Sequence, residues 1–344
     1  MEALVIHAPG DLRVERVETP ELLPQQLQVR VRCGGICGSD LHYFQHGGFG
    51  TVRIQQPMVL GHEVAGSIEA VGADAPGFAP GERVAISPSR PCGQCRYCQQ
   101  GLHNHCLDMR YYGSAMRMPH VQGAFRQRIV CDASQAHKLA EHVSDAEGAM
   151  AEPLAVALHA VNRAGPLLGK SVLVTGCGPI GAMAVIAARR AGATFVVVTD
   201  MAAQPLRTAL KIGADRAIDI KDEPDALRAF TADKGQFDVL FEASGNARAL
   251  IGAFDALRPR GIIVQMGLGG EMTLPVNTLV AKEFELRGTF RFHAEFATAV
   301  QLLNQRLVDL KPLISATLPY RDAGKAFALA ADRSQAMKVL LNFD

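Results

Sequence analysis

The sequence carries almost no excess charge of either sign. Its 35 Lys and Arg residues face 34 Asp and Glu, for a formal net charge of +1. No broad basic field is therefore available to hold nucleic acid or an anionic membrane surface. Also missing is any apolar run of the roughly 18 residues that a membrane span needs. The opening stretch MEALVIHAPGDLRV has neither a basic region leading into a long apolar run nor a small-residue cleavage site, so a secretory signal is not expected. Repeats and low-complexity tracts are absent as well. These absences point to a cytoplasmic enzyme that works on a small molecule, with no nucleic-acid or membrane partner. At 344 residues the chain is too long for one average core and about right for two domains.

Up to about residue 150 the chain alternates short β-type runs (ALVIHA, LQVRVRC, EVAGSIEAVG, ERVAIS) with glycine and proline turns, which reads as an irregular β-rich domain. From Gly169 the pattern becomes strand, glycine turn and helix: SVLVTG, AMAVIAARRAG, FVVVTD, PLRTALKIG, RAIDI, and later FDVLFEASG, GIIVQMG and FELRGTF. Strands alternating with helices at this spacing predict a parallel sheet wound on both faces. A boundary helix is expected at 151–164. After Phe290 the helical run EFATAVQLLNQRL, the segment AGKAFALAADRS and the strand KVLLNF read as a return to the first domain. The expected division is thus 1–152 with 291–344, and 153–290.

Residues 176–181 read Gly176-Cys177-Gly178-Pro179-Ile180-Gly181, directly after an apolar strand and before an Ala-rich helix. In that context the three glycines predict a dinucleotide site. Gly176 permits the tight turn, Gly178 lets a pyrophosphate approach the backbone, and Gly181 lets helix and strand pack closely, with the helix N-terminus attracting the phosphate charge. Asp200 closes the second strand, where an acid binds the adenosine ribose hydroxyls and repels a 2′-phosphate, so NAD is expected over NADP. Arg207 lies close in sequence and can soften that preference; as a solvated helix residue it would do nothing.

Four of the eight cysteines, Cys92, Cys95, Cys98 and Cys106, follow the pattern CxxCxxCx7C within a polar loop. Four soft thiolates at this spacing can close a tetrahedron around zinc and leave no position for substrate, a structural duty for a lobe at about residues 88–110. A second, dispersed set comprises Cys37 in GGICGSDLHY, His62 and Glu63 in VLGHEVAG, and Glu152 in AEPLAVALHA. Each alone would be unremarkable, a small hydrophobe or a satisfied polar residue.

With the motifs GGICGSDLHY, GHEVAGSIEAVG, PCGQCRYC, AEPLAVALHA and TGCGPIGAMA standing in this order, the chain resembles the zinc-containing medium-chain alcohol dehydrogenases over essentially its whole length, and among them the polyol dehydrogenases related to sorbitol dehydrogenase. The resemblance implies an α/β protein with a GroES-like β-rich catalytic domain, built from both chain ends, and a Rossmann nucleotide-binding domain between them. It implies a catalytic zinc at Cys37 and His62. Glu63 and Glu152 then act as direct ligands or through a bound water, a choice the sequence leaves open; the glutamate at 152, where many alcohol dehydrogenases have cysteine, is the polyol pattern. By the same resemblance Asp40 orients His62, Ser39 and His42 relay the released proton, and Tyr43 either touches substrate or forms a wall. The reaction implied is oxidation of a secondary hydroxyl to a ketone with NAD(P). The segment FELRGTF is where relatives pair sheets, which implies a homodimer or homotetramer.

Outside the generic motifs, SPSRPCGQCRYC, DMRYYGSAMRMPHVQGAF and RGTFRFHAEFATAV resemble bacterial L-idonate 5-dehydrogenases, which interconvert L-idonate and 5-keto-D-gluconate. A sugar-acid substrate carries a carboxylate suited to an arginine. Arg291 stands where polyol enzymes place a substrate-contacting arginine, and Arg110 and Arg117 flank YYGSAM. A neutral polyol such as sorbitol or xylitol is the alternative substrate, and a non-catalytic nucleotide-binding relative the remote one.

Overall fold

The computed structural model describes residues 1–344 and divides into two compact units, one comprising Met1–Glu152, Phe296–Asp332 and Lys338–Asp344, the other Pro153–Glu295 and Arg333–Met337. The chain passes from the first to the second inside the helix Ala151–Ala164. It leaves the second at Glu295, five residues later than the sequence pattern suggests. The delay has a local cause: the Glu295 carboxylate is hydrogen-bonded by His159 Nδ1 (2.9 Å), Asn162 Nδ2 (2.9 Å) and the His293 backbone N–H (3.0 Å), so the turn 291–295 is tied to the helix that opens the unit. Burial works against the charge on Glu295, but these donors outweigh it and hold the carboxyl at about 2.

The first unit is organised by a seven-stranded sheet in which Gln26–Gly35 is central, pairing antiparallel with Glu63–Val71, Arg128–Asp132 and the C-terminal strand Lys338–Asn342. Val29 and Leu27 are fully buried, and Val31 almost so. At its end Gly35 stands opposite both Glu63 and Leu340, so Glu63–Val71 and the C-terminal strand flank it on its two sides.

The missing side chain at Gly35 matters. A Cβ there would stand 2.1 Å from Glu63 Oε2 and 3.0 Å from Lys338 Cε. The space a larger residue would take is where those two side chains meet: Lys338 Nζ lies 2.7 Å from Glu63 Oε1 and 2.5 Å from Oε2, and donates also to the Ile36 carbonyl at 2.9 Å. Both residues are sealed from solvent, at 0% and 2% exposure, so the pair cannot be replaced by water.

The second unit is a six-stranded parallel sheet in the order 216–219, 195–200, 171–175, 237–242, 257–265, 285–288. Numbered along the chain this is 3-2-1-4-5-6, the doubly wound Rossmann arrangement, whose direction reverses between Ser171–Thr175 and Phe237–Glu242. The strands are continuous apolar runs because helices cover both faces; Val172, Leu173, Val174, Val196, Val197 and Val198 have no exposed surface. Helix Pro179–Arg190 is buried from Gly181 to Ala188, which its small residues permit.

Because Lys338 is the cation closest to a solvent-free Glu63, Lys338→Met should cost about 3–5 kcal/mol of unfolding free energy by urea denaturation, the penalty for stranding a buried charge. Adding Glu63→Gln should recover most of that loss. A single-variant loss below about 1 kcal/mol would show that the pair does not hold the two strands together.

Candidate functional site

In the first unit Cys37 caps the helix Gly38–His46, where its side chain and that of Asp40 form a reciprocal capping box; the Cys37 backbone N–H donates to Asp40 Oδ2 at 3.0 Å. Asp40 has no exposed surface, accepts from the Gly61 N–H at 3.2 Å through Oδ1, and faces His62 Nδ1 at 3.7 Å. Gly61 has φ +93°, and a Cβ on it would collide with the Phe125 ring at 2.2 Å. This backbone bend delivers His62 and Glu63 in succession toward Cys37. The ligand-type atoms of Cys37, His62 and Glu63 all lie within 4.8 Å of one another.

The surroundings are strongly anionic. Burial disfavours charge on His62, yet Asp40, Cys37 and Glu152 together outweigh it and raise the imidazole to about 10. Burial pushes the Glu63 carboxyl up against the pull of Lys338, and Lys338 keeps its proton despite burial because Glu63, Cys37 and Glu152 surround it. Both Glu63 oxygens face the Lys338 ammonium, Oε1 as its hydrogen-bond acceptor and Oε2 in the ion pair. A thiol, an imidazole and a carboxylate, gathered in a buried anionic site, form a donor set suited to a borderline cation such as zinc.

Glu152 is not in that group of three. The Tyr111 hydroxyl donates to its Oε1 at 2.5 Å, and the residue is 4% exposed. Tyr111 was not singled out from the sequence, and no local signal marks it, since its partner lies 41 residues away. Along the helix, Ser39 is half-buried and His42 exposed. Tyr43 is buried at 2% exposure, and its hydroxyl accepts the Ala115 N–H at 3.0 Å, inside the YYGSAM segment.

The four clustered thiols converge. Cys92, Cys95, Cys98 and Cys106 have all their sulfurs within 4.8 Å of one another, and Cys95 and Cys98 Sγ are 3.6 Å apart. A zinc–sulfur bond of about 2.3 Å places the corners of a tetrahedron about 3.8 Å apart, so the cage has the size for that ion. Backbone N–H groups point at the sulfurs: Cys92 to Cys106 (3.1 Å), Asp108 to Cys106 (3.3 Å) and Leu107 to Cys95 (3.5 Å). N–H groups of Cys98 and Leu107 draw the Cys95 thiol down to about 6. Arg117 braces this lobe through the Met109 and Leu107 carbonyls at 2.8 and 2.5 Å and Asp108 at 2.8 Å, whereas Arg110 is exposed.

In the second unit Gly176 follows the first strand at φ +84°, a left-handed backbone, and a Cβ there would meet Ser244 at 2.8 Å. Gly178 caps the helix, Pro179 is its first residue, Ile180 follows half-buried, and a Cβ on Gly181 would fall 1.9 Å from the Gly176 carbonyl. Fully buried Glu242, unnoticed in the sequence, accepts from the Ser244 (2.9 Å) and Gly245 (3.0 Å) N–H groups and so holds the loop against which Gly176 rests.

Asp200 accepts from the N–H groups of Cys177 (2.7 Å), Met201 (2.7 Å) and Ala202 (3.1 Å), and from Arg333 Nη2 at 3.0 Å. Arg207 is exposed on the helix Ala203–Lys211. Arg291 belongs to this second unit, not to the first as the sequence pattern suggests; its backbone is left-handed at φ +53° and its guanidinium lies 5.0 Å from the centre of the Phe290 ring.

Residues 23–141 match the alcohol dehydrogenase GroES-like domain family, and residues 179–305 the zinc-binding dehydrogenase family. The chain is 43% identical over 316 residues to L-idonate 5-dehydrogenase (NAD(P)(+)) of Escherichia coli strain K12, covering 92% of this chain and 91% of that protein. It is 37% identical to sorbitol dehydrogenase of Gallus gallus, covering 99% and 96% of the two chains. The crystal structure of L-idonate 5-dehydrogenase from E. coli K-12 superposes with a TM-score of 0.95 at 40% identity, over 99% of this chain and 97% of that one. A parallel sheet of 3-2-1-4-5-6 order, a glycine turn at its reversal and a Cys–His–Glu cluster in the other unit thus agree with the relatives: the chain belongs to the zinc-binding alcohol dehydrogenase family, on its polyol dehydrogenase side.

Proposed function

We propose that this dehydrogenase oxidises a secondary hydroxyl of a sugar acid, L-idonate to 5-keto-D-gluconate, reversibly and with NAD or NADP as the partner. The observation that carries the reading is the gathering of Cys37, His62 and Glu63 in a buried anionic site, in a chain that also holds the Gly176–Gly181 turn. The 43% identity to a sugar-acid enzyme supports that substrate class over neutral polyols.

In this reading Cys37, His62 and Glu63 hold the catalytic zinc. A zinc ion there supplies the Lewis acidity that brings the pKa of an alcohol toward neutrality, and a nicotinamide supplies the acceptor for its hydride. Asp40 faces the Nδ1 edge of His62, which orients the ring and leaves the opposite edge for the ion. Glu152, fixed by Tyr111, acts through a water or the substrate hydroxyl instead of directly. Ser39 takes the alcohol proton and His42 passes it on; burial and His46 lower the proton affinity of His42, so it is neutral and able to accept at pH 7. Tyr43 acts as a wall with its hydroxyl committed to Ala115. Gly178, Pro179, Ile180 and Gly181 receive the cofactor pyrophosphate and Asp200 the adenosine ribose, while Arg291 pairs with the substrate carboxylate.

Cys92, Cys95, Cys98 and Cys106 hold a second, structural zinc, and reduced thiols of this kind suit the cytoplasm. Strand Glu285–Gly288 is the edge of its sheet, with Leu286, Val276 and Val280 exposed nearby in sequence, which supports pairing of two copies through that edge.

Three outcomes test this reading. Steady-state kinetics should give a kcat/KM for L-idonate above those for sorbitol and xylitol, with Arg291→Met raising KM for the acid and leaving sorbitol little changed; equal or inverted preferences overturn the sugar-acid assignment. Metal analysis should find about two zinc ions per chain. Cys98→Ser should lose about one of them together with several degrees of Tm, and an unchanged Tm and zinc content would refute the structural role. Light scattering should report a dimer or tetramer that Leu286→Lys dissociates; a monomeric wild type rules out the edge pairing.

A further inference from the structure

The acid that closes the second strand does not stand alone. Asp200 is 6% exposed, and its carboxylate accepts three backbone N–H groups as well as the guanidinium of Arg333. Arg333 comes from the far end of the chain, 133 residues away, in the short segment Arg333–Met337 that packs with the nucleotide-binding unit. Its side chain is 59% exposed and reaches Oδ2 through Nη2. The same Nη2 lies 3.8 Å from where a Cβ on Gly178 would stand, so the guanidinium overhangs the glycine turn as well as the acid. Arg207 makes neither a hydrogen bond nor an ion pair with Asp200 and is exposed on its own helix.

An unpaired carboxylate at this position excludes a 2′-phosphate by like-charge repulsion, the usual reason for preferring NAD. Here the repulsion is offset before any nucleotide arrives, because a permanent cation sits 3.0 Å from Asp200. Arginine has a further property that a bare neutralising charge lacks. Its five donors form a planar fork matched to phosphate, and a solvent-exposed stem lets that fork move by an ångström or two without breaking a packed core.

We propose that Arg333 is the residue that sets cofactor breadth. With NAD, Asp200 receives the ribose hydroxyls and Arg333 remains its counter-ion; with NADP, the guanidinium pairs with the 2′-phosphate and shields it from Asp200. This rests on the nucleotide reading above and adds to it a determinant that lies outside the strand–turn–helix segment where such selectivity is normally sought.

Fluorescence titration of NADH and NADPH onto the intact zinc-loaded protein tests the assignment without relying on turnover. Wild type should bind both. Arg333→Ala and Arg333→Gln should raise the Kd for NADPH about ten-fold more than that for NADH, the size of one charge-assisted contact. Arg333→Lys should recover part of that difference, and Arg207→Ala should leave the ratio of the two constants where it was. Circular dichroism checks that each variant is folded, which a surface side chain should allow. The proposal is wrong if the ratio is unmoved in Arg333→Ala, if both cofactors weaken equally, which would assign the guanidinium to the shared pyrophosphate, or if Arg207→Ala moves the ratio instead. Wild type binding neither nucleotide would defeat the underlying reading of the glycine turn, an outcome distinct from all three.

Discussion

A carboxylate with no water around it must find a cation, and in this fold the requirement is met across the sheet of the first unit. Glu63 follows the proposed ligand His62 directly, and its counter-ion Lys338 opens the last strand of the chain. The pair can form because strand Gln26–Gly35 ends in a residue without a side chain, so two charged groups from neighbouring strands meet over its backbone. Strand pairing, the position of Glu63 and the electrostatics of the metal-type cluster are therefore one problem with one solution. The net yield in stability of such a pair is small, because desolvation consumes most of the attraction. What it secures is geometry: a carboxylate held to a lysine cannot swing away from Cys37 and His62.

The second unit meets a different demand, set by the proposed cofactor site: the close approach of a backbone to a phosphate. Here the governing constraint is volume. Gly176 takes a left-handed turn, Gly181 sits against the Gly176 carbonyl, and Glu242 braces the neighbouring loop from within the sheet. Each substitution that added a Cβ would push the turn away from the strand it follows. Alanines from Ala182 to Ala188 extend the same economy of size along the helix, which lets its N-terminus stay close to the sheet reversal, the place proposed for the nucleotide.

Much of this was legible in the sequence, and what was legible was local. The strands and helices of the second unit follow the apolar runs nearly residue for residue, because a parallel sheet covered on both faces leaves a continuous hydrophobic signal. CxxCxxCx7C needs only a short loop to bring its sulfurs together, and the glycine turn is contained in six residues. What escaped was supplied from afar. Lys338 reads as an ordinary strand-end charge until the register places Leu340 against Gly35. Tyr111 lies 41 residues from Glu152, and Arg333 lies 133 residues from Asp200. None of the three has a spacing, a period or a turn residue to announce it, so only the tertiary fold reveals them. Arg207, close to Asp200 in sequence, is exposed on its own helix, in line with the solvated reading given above. The unit boundary after residue 290 also moved, since the hydrogen bonds that fix Glu295 join residues more than 130 positions apart.

Chemistry at the metal-type cluster does not by itself choose among hydroxylated substrates, because a sugar acid and a neutral polyol offer it the same secondary alcohol. The two differ by one carboxylate, and a carboxylate is selected by a cation placed to pair with it. Arg117, one of three arginines suggested by position, is committed to two carbonyls and Asp108 in the cysteine lobe. Those contacts fix it on the lobe, and Arg110 and Arg291 are the other two arginines the proposed reading can use. Of these, Arg291 has its guanidinium over the Phe290 ring, 5.0 Å from the ring centre, and a left-handed backbone at φ +53°. A guanidinium held over an aromatic face is restricted in direction, and that restriction is what supports Arg291 over the exposed Arg110 in the proposed reading of the substrate's acid end.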